Sequence, residues 1–147
     1  MADQTRQISA ERVIDAPAER IFALLSDASR HHEIDGSGTL QGSANAAERL
    51  DLGSKFSMRM RWGIPYKTSN VVVEFEPDRR IAWCHFGRHR WRYELEPLDD
   101  GRTLVRETFD WSTALVPRFV ELIGAPGRNR ASIEATLERL QRAMTTG

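Results

Sequence analysis

Residues 80–96 have the sequence RIAWCHFGRHRWRYELE and give the clearest indication of the fold. Its two halves alternate apolar and polar residues on either side of Phe86-Gly87-Arg88. Alternation with a period of two is typical of half-buried β-strands, and a short link that contains glycine is typical of a β-hairpin. The stretch therefore predicts two antiparallel strands, each with one apolar and one charged face.

The same pattern extends in both directions along the chain. Strand-like segments are predicted at residues 39–43, 55–62, 66–76, 80–86, 88–96 and 103–111. Turn-forming residues separate them, such as Gly63-Ile64-Pro65, Glu76-Pro77-Asp78 and Asp99-Asp100-Gly101. Parallel neighbours would need long crossover connections. None of these links is long enough, so the pattern predicts an antiparallel sheet.

The segment that precedes the meander predicts one more strand and two short helices. Residues 8–15 form the strand, and Pro17 suits the first position of a helix because its missing N–H has no partner to lose there. Apolar residues at helical spacing carry this helix to about Ser26. Residues 27–33 predict a second short helical turn.

Helical spacing returns at the C-terminal end. An apolar series with this spacing stops at residues 124–127, and it consists of Leu115, Val116, Phe119, Val120 and Ile123. After that break, Ile133, Leu137, Leu140 and Met144 form one apolar stripe of a strong amphipathic helix. Gly124 and Gly127 either let the preceding helical segment, which carries the series from Leu115 to Ile123, move as a lid or form a rigid corner.

These elements predict an α+β domain. An antiparallel sheet must cover its apolar face, and the long C-terminal helix carries a matching stripe. A curved sheet of seven strands wrapped around this helix leaves space between the two near the middle of the sheet. We expect that space to hold a ligand.

Composition narrows the class of protein. The chain has 147 residues with 21 basic and 21 acidic side chains, a balance unlike the basic charge of dedicated nucleic-acid-binding domains. The lone Cys84 excludes an internal disulfide and a cysteine-cluster zinc site. There is no signal-peptide pattern and no apolar run of about 18 residues. We expect one soluble, cytoplasmic domain, without a membrane span, and leave open whether it is a monomer or a homodimer.

Several segments resemble the START-like, or Bet v 1-like, superfamily (SRPBCC), which includes the polyketide cyclase/dehydrase group. They are residues 13–22 (VIDAPAERIF), 77–83 (PDRRIAW), 91–97 (WRYELEP), and 101–103 (GRT) leading into 109–111 (FDW). The resemblance spans nearly the whole chain. It implies a helix-grip fold whose cavity holds a hydrophobic ligand, as in lipid carriers, hormone receptors and polyketide cyclases. The superfamily has no universal catalytic motif to transfer, and the fold alone does not establish an activity.

Alternation along each strand selects the side chains that face the helix. On the fourth strand it favours Val71, Val73 and Phe75, although Val72 weakens the pattern. The predicted ligand-binding residues are Phe56, Met58, Met60, Trp62, Val73, Trp83, Trp91, Tyr93, Phe109, Phe119 and Ile123. The aromatic members suit a planar ligand, and the same residues are equally typical of a packed core.

Two polar residues share this inward parity. Glu107 alternates with Val105 and Phe109, and His85 follows Trp83 in the same way. A glutamate and a histidine in an apolar cavity suit general acid–base catalysis, for example in an aldol cyclisation or dehydration. His85 or a hydrogen bond from Tyr93 would stabilise the buried carboxylate. The plainer interpretation is that Glu107 pairs with an arginine or with solvent at the mouth of the cavity and that His85 is a polar wall residue.

Other motifs predict no site. His85 and His89 have the spacing of helical zinc ligands, but they flank a predicted turn, so no metal site is expected. Gly36-Ser37-Gly38 precedes a strand, unlike the glycine-rich dinucleotide-binding motif, and no cofactor is expected. In residues 88–93 alternation places arginines and aromatics on opposite faces, which argues against a single-stranded nucleic-acid platform. We expect the arginine row to be a solvated face.

Two functions follow from these patterns. The first is binding or carriage of a hydrophobic or aromatic small molecule. The alternative is a cofactor-independent polyketide cyclase or dehydratase that uses Glu107 and His85. A role as a partner of other proteins in a stress response stays open as a third.

Overall fold

The computed structural model describes residues 6–27, 30–31, 34, 40–43, 50–62, 64–84, 88–122 and 124–146, with backbone alone at 40–43, 57–62, 65–68 and 146. Three helices and seven strands lie in these ranges. In chain order they are β1 (Gln7–Ile14), α1 (Ala18–Leu25), β2 (Leu40–Ser43), β3 (Lys55–Trp62), β4 (Ile64–Glu76), β5 (Arg80–Cys84), β6 (Arg90–Pro97), β7 (Thr103–Asp110), α2 (Pro117–Leu122) and α3 (Ala125–Thr146).

The seven strands form one antiparallel sheet in the order β1-β7-β6-β5-β4-β3-β2. Strands β2 to β7 follow each other as a meander, and β1 closes the order by pairing with β7. The prediction of a seven-stranded antiparallel sheet is confirmed. In the middle of the sheet, Trp83 on β5 is opposite Trp91 on β6, and Trp91 is opposite Phe109 on β7.

Helix α3 covers the β1–β7 side of the inner face. Its predicted stripe is buried, since Ile133, Leu137, Leu140 and Met144 are each less than 5% exposed. Ile14, Val105 and Phe109 join them in one hydrophobic core. The long helix therefore packs on the sheet through the residues whose spacing predicted it.

Helix α1 packs beside the β4–β5 hairpin. The ring of Phe22 meets the edge of Phe75 at 5.5 Å between centroids, and Ile21, Leu24 and Leu25 are fully buried. Of the second predicted helical turn, Asp27, Arg30 and His31 are described; Arg30 and His31 have 3₁₀ geometry, and Asp27 lies outside any helix. His31 is buried.

The predicted alternation of β4 is wrong in its centre. Val72 is opposite Trp83, but Glu74 is opposite Ala82, so one residue is inserted in β4 between these pairs. A β-bulge of this kind shifts the alternation by one residue. Val72 and Phe75 therefore take the inward positions opposite Trp83 and Ile81, and Val73 is the inserted residue. Val72 is buried and Val73 is half-buried.

The break before the long helix is also shorter than predicted. Helix α3 begins at Ala125, directly after Gly124, whose φ is 74°. That left-handed conformation favours glycine, and one such residue is enough to end α2. Pro126 and Gly127 then lie in the first turn of α3, where proline loses no helical hydrogen bond. Among the described residues, the corner therefore lies at Gly124, and residues 125–127 belong to α3.

Candidate functional site

An aromatic cluster covers the β5 part of the inner face. The Trp83 ring stacks on His31 at 4.7 Å with an interplanar angle of 19° and contacts the Phe56 and Tyr93 rings at 5.8 and 5.6 Å. The His31 imidazole is fixed from behind, because its Nε2–H donates to the Leu25 carbonyl oxygen at 2.7 Å. Strands β3, β5 and β6 and the chain after α1 thus each supply one ring or more.

A second aromatic cluster lies beside the first one, on β6 and β7. Phe109 lies at its centre, 4.8 Å from Trp91, 5.3 Å from His89 and 5.5 Å from Trp111, measured between ring centroids. Burial lowers the pKa of His89 below its ordinary value, so its imidazole is neutral near pH 7. Together the clusters give the inner face a continuous aromatic surface.

Like His89, the Trp83 and Trp91 rings are more exposed than the rest of the two clusters. They are directly opposite each other, and both are half-buried, whereas Phe56, Tyr93 and Phe109 are buried. A half-buried tryptophan pair on the inward face retains surface that a planar or aliphatic molecule could cover. This pair is the centre of the candidate site.

The other predicted site residues either lie away from the inner face or are outside the described part of the chain. Phe119 does not reach the interior, because α2 has no buried residue and the Phe119 side chain is 58% exposed. His85 and Ile123 lie outside the described residues, as do the side chains of Met58, Met60 and Trp62. The predicted pairing of Glu107 with His85 therefore stays a prediction.

Glu107 is a buried carboxylic acid on the inward face. It is 3% exposed, and it lies on β7 between Val105 and Phe109, opposite Tyr93 of β6 and Ala10 of β1. A carboxyl group removed from water is stabilised only by hydrogen bonds, by a charge partner or by protonation. Its position places a proton-transfer group on the face that carries the aromatic clusters.

The outer face of the same strands carries a separate ionic network. Arg92 forms a two-pronged ion pair with Glu74, with Nε–Oε1 and Nη2–Oε2 distances of 3.0 and 2.8 Å, and Arg90 Nη1 donates to Glu74 at 2.8 Å. Burial raises the pKa of Glu74, but the hydrogen bonds from Arg92 and Arg90 outweigh it and leave that pKa below its ordinary value. Arg92 also reaches Asp110 at 3.2 Å.

This network corrects one expectation and supports another. The outer arginine row was expected to be a solvated face, yet Arg92 is largely buried among carboxylates because the bulge of β4 brings Glu74 beside it. The expected separation of charges from rings holds, since Arg90 and Arg92 occupy the face opposite to Trp91 and Tyr93.

Two hollows of about 300 Å³ each are lined by described residues, and neither lies against the tryptophan pair. One is on the outer face, among side chains that include Glu11, Arg80, Glu94 and Arg106. The other lies between α1 and the β4–β5 turn, and its lining includes Phe22, Leu50, Asp51 and Phe75. Among the described residues, the inner face presents a row of aromatic rings in which Trp83, Trp91 and His89 are half-buried.

His31 is the site residue that sequence reasoning missed. The sequence placed it in a short helical turn with no assigned role. Its stacking on Trp83 is a contact between residues 52 positions apart, and no local pattern indicates such a contact.

Within the described residues, no three His, Cys, Asp or Glu side chains converge as a metal site would require. Nor does any helix in these ranges combine the length and the hydrophobicity needed to cross a bilayer.

Comparison with known proteins agrees with this architecture. Residues 5–145 match the family model described as polyketide cyclase / dehydrase and lipid transport. Two uncharacterized Mycobacterium tuberculosis proteins, from strains H37Rv and CDC 1551, are 40% and 39% identical to the chain over 139 residues. Each alignment includes 91% of this chain and 62% of the relative, so the chain spans less than two thirds of their length.

Solved structures with low sequence identity share the fold. A protein from Arthrobacter aurescens superposes with a TM-score of 0.76 at 14% identity, covering 99% of this chain and 89% of that one. An AHSA1-like protein from Aeromonas hydrophila gives 0.67 at 18% identity, with coverages of 92% and 90%. A polyketide-cyclase-like protein from Corynebacterium glutamicum gives 0.58 at 22% identity, with coverages of 95% and 91%.

The match over residues 5–145, the two mycobacterial relatives and the shared fold lead to one assignment. The chain belongs to the polyketide cyclase / dehydrase and lipid transport family.

Proposed function

We propose that this domain binds a hydrophobic or aromatic small molecule against the inner face of its sheet. The observation that carries the proposal is the half-buried tryptophan pair, Trp83 and Trp91, set among the rings of Tyr93 and Phe109. Flat apolar ligands gain both buried area and ring stacking on such a surface. The family description adds support, because it names lipid transport beside cyclase and dehydrase activity.

Packing among the aromatic rings indicates that the proposed binding surface is formed before the ligand arrives. Trp83 is held by His31 and Phe56, and Trp91 by Phe109, so each ring has a fixed orientation before a ligand arrives. Fixed side chains lose little conformational entropy on binding. The ligand would therefore meet an ordered wall with polar groups at only a few positions, among them Glu107.

The first prediction concerns Trp91. Replacing it with alanine removes contact area from the proposed wall, and we expect the affinity for 1-anilinonaphthalene-8-sulfonate, an amphipathic aromatic probe, to fall by at least ~1 kcal/mol, about fivefold in Kd. A fluorescence titration measures this loss. Phe119→Ala is the matched control, because it removes an exposed ring on α2 and should leave Kd unchanged.

Two outcomes would contradict the binding site. One is an unchanged Kd for Trp91→Ala in a protein with native circular dichroism. The other is a loss of affinity in Phe119→Ala alone, which would put the probe on α2. Native mass spectrometry of protein purified from its own source provides an independent test, since a retained small molecule identifies the natural ligand class.

A second function, cyclisation or dehydration of a polyketone without a cofactor, is favoured by one observation. Glu107 is buried on the inward face, in register with Tyr93. A carboxyl group there could accept a proton from the carbon next to a ketone, and His85, the other predicted member of the pair, would return a proton to the leaving oxygen.

The second prediction tests this activity at Glu107. The Glu107→Gln side chain has nearly the same shape but cannot accept a proton, so a confirmed substrate should bind with nearly unchanged affinity and its turnover should be lost. Single-turnover product analysis by mass spectrometry measures the step. Equal rates in the variant and the wild type would eliminate Glu107 as the base while leaving the binding proposal intact.

A further inference from the structure

The segment between β7 and α3 presents an unusual apolar surface. Among the described residues, large hydrophobic side chains with high exposure are concentrated here, in Leu115, Val116, Phe119 and Leu122, which are 58–84% exposed. We call these four residues the α2 ridge. Phe119 and Leu122 are three residues apart on α2, and Val116 precedes Phe119 by one turn, because its carbonyl oxygen accepts a hydrogen bond from the Phe119 N–H at 3.1 Å. Leu115 lies directly before Val116. Contiguous exposed apolar patches of this kind mark interaction surfaces.

The ridge is held in place by the residues behind it. Glu121 Oε2 accepts hydrogen bonds from Trp111 Nε1 at 2.8 Å and from Arg6 Nε at 3.1 Å. Val120, on the other side of α2, packs against the hydrophobic core. The inward side of α2 is therefore anchored, and the outward side carries Phe119 and Leu122.

The charge around the ridge is positive. Residues 111–133 contain three arginines, Arg118, Arg128 and Arg130, and one acidic residue, Glu121; of the two acids that flank this range, Asp110 is buried and paired with Arg92, and Glu134 is exposed. The three arginines are exposed. Glu121 is already engaged by Arg6. Arg88 lies next to the same segment, because its carbonyl oxygen accepts a hydrogen bond from Thr113 Oγ1 at 2.7 Å.

We propose that the α2 ridge docks this domain on the surface of an anionic phospholipid bilayer. Exposed leucine, valine and phenylalanine side chains insert at the boundary between headgroups and acyl chains, and arginines beside them attract anionic headgroups. The positive charge distinguishes this partner from an electrically neutral apolar surface. The docking concerns the exterior of α2 and holds whatever the inner face of the sheet binds.

Cosedimentation with vesicles tests the proposal. The wild-type protein should bind vesicles of phosphatidylcholine mixed with phosphatidylglycerol, bind pure phosphatidylcholine much more weakly, and detach from the mixed vesicles at high salt. Phe119→Ser/Leu122→Ser should weaken binding to the mixed vesicles by ~10-fold or more, because two inserting side chains are lost. Leu52→Ser/Ile64→Ser is the matched control, since these side chains are 63% and 74% exposed outside the ridge.

A second pair of variants tests the contribution of the arginines to vesicle binding. Arg118→Gln/Arg130→Gln should weaken binding to the mixed vesicles and leave binding to neutral vesicles as it was. Arg20→Gln/Arg139→Gln removes two exposed charges outside the segment and should change neither. All four variants alter exposed positions, and circular dichroism verifies that each is folded.

Three results would overturn the proposal. The first is no binding of the wild type to mixed vesicles at low salt. The second is an equal loss in the ridge variant and in Leu52→Ser/Ile64→Ser. The third is self-association of the wild type that only the ridge variant abolishes, with no vesicle binding, which would assign the ridge to a second copy of the chain. Titration of Phe119→Ser/Leu122→Ser with 1-anilinonaphthalene-8-sulfonate in the absence of vesicles separates membrane docking from the proposed ligand site. A variant that loses vesicle binding but keeps the Kd for the probe shows that the two sites are independent.

Discussion

Asp110 and Glu107 are buried acids three residues apart on one strand, and they have different surroundings. On the outer face, Asp110 accepts hydrogen bonds from Gln7 Nε2 at 3.0 Å and Ser112 Oγ at 2.6 Å and pairs with Arg92. A carboxylate with this many donors is a structural element of the sheet. Glu107 lies on the inner face, in register with Tyr93. The odd spacing between the two residues puts one acid in a polar network and the other on the proposed ligand wall.

The third prediction concerns His89 and pH. Burial lowers the pKa of His89 in the folded protein. Below about pH 6.5, the ordinary histidine value, the unfolded chain therefore binds a proton at this position before the folded protein does. Folding stability should fall with decreasing pH through this group, by at most about 1.4 kcal/mol per pH unit for one proton.

Urea unfolding at several values between about pH 7 and about pH 5 measures the effect. In His89→Gln the free energy of unfolding should decline less over this range, because the variant lacks the titrating group. Other titrating groups are common to both proteins, so the difference between the two curves isolates His89. Parallel curves would contradict a neutral, buried His89.

At the scale of elements, α2 and α3 show that the same spacing can have opposite outcomes. Both carry apolar residues at helical intervals, yet the α3 stripe is buried and α2 has no buried residue. Helix α3 has 22 residues and lies along β1 and β7, whereas α2 has six residues between the end of β7 and Gly124. A helix buries the apolar face that lies on a neighbouring surface. Helix α2 packs on the core through the partly buried Val120, which leaves Phe119 and Leu122 on the outside.

The fourth prediction follows from the packing of α3. Leu137 is 1% exposed at the centre of the stripe, and Leu137→Ala should destabilise the fold by about 2–5 kcal/mol, because it removes buried methyl groups and leaves a cavity. Glu134→Ala, at an exposed position one turn earlier, should change stability by no more than about 0.5 kcal/mol. Chemical unfolding monitored by circular dichroism measures both, and similar values would mean that the stripe does not hold the helix on the sheet.

The bulge of β4 is an example of an element that depends on its neighbour. Val71-Val72-Val73 has no alternation of its own, and the choice of the inward residue comes from pairing with β5. The shift leaves Val72 facing inward opposite Trp83 and turns Glu74 toward Arg90 and Arg92 on the outer face. One inserted residue thus serves both the aromatic wall and the ionic network.

At the scale of the whole molecule, the proposed ligand site is built on the hydrophobic core. Phe56, Tyr93 and Phe109 belong to the hydrophobic core, and Trp83 and Trp91 pack against it. A ligand that covers the tryptophan pair adds contacts only to the folded state. Binding and folding stability should therefore be linked.

The fifth prediction quantifies this linkage. With 1-anilinonaphthalene-8-sulfonate at a free concentration of about 100 times its Kd, the folded state should gain about 2.7 kcal/mol. For a chain of this length the Tm should rise by roughly 5–10 °C. Thermal unfolding followed by circular dichroism measures the shift, and Trp91→Ala at the same probe concentration should show a smaller one. A shift that is absent in the wild type, or the same in both proteins, argues against the inner-face site.

Much of the fold was predictable because it depends on local chemistry. Alternation in residues 80–96 indicates strands, short links between strands require antiparallel neighbours, and the spacing of Ile133, Leu137, Leu140 and Met144 defines the face of a helix. Each of these signals lies within about 20 residues of sequence. Order, direction and polarity of the elements follow from such signals, and the structure agrees with them.

Other features depend on contacts between residues far apart in the chain. His31 stacks on Trp83 across 52 residues of sequence, Glu74 meets Arg92 because β4 contains a bulge, and Phe119 is exposed because α2 packs on the core through its Val120 side. Periodicity along one segment carries no information about the neighbour that a side chain will meet. Strand register, helix length and the path of the connections decide these contacts, and they also decide which residues form the proposed wall and which form the ridge.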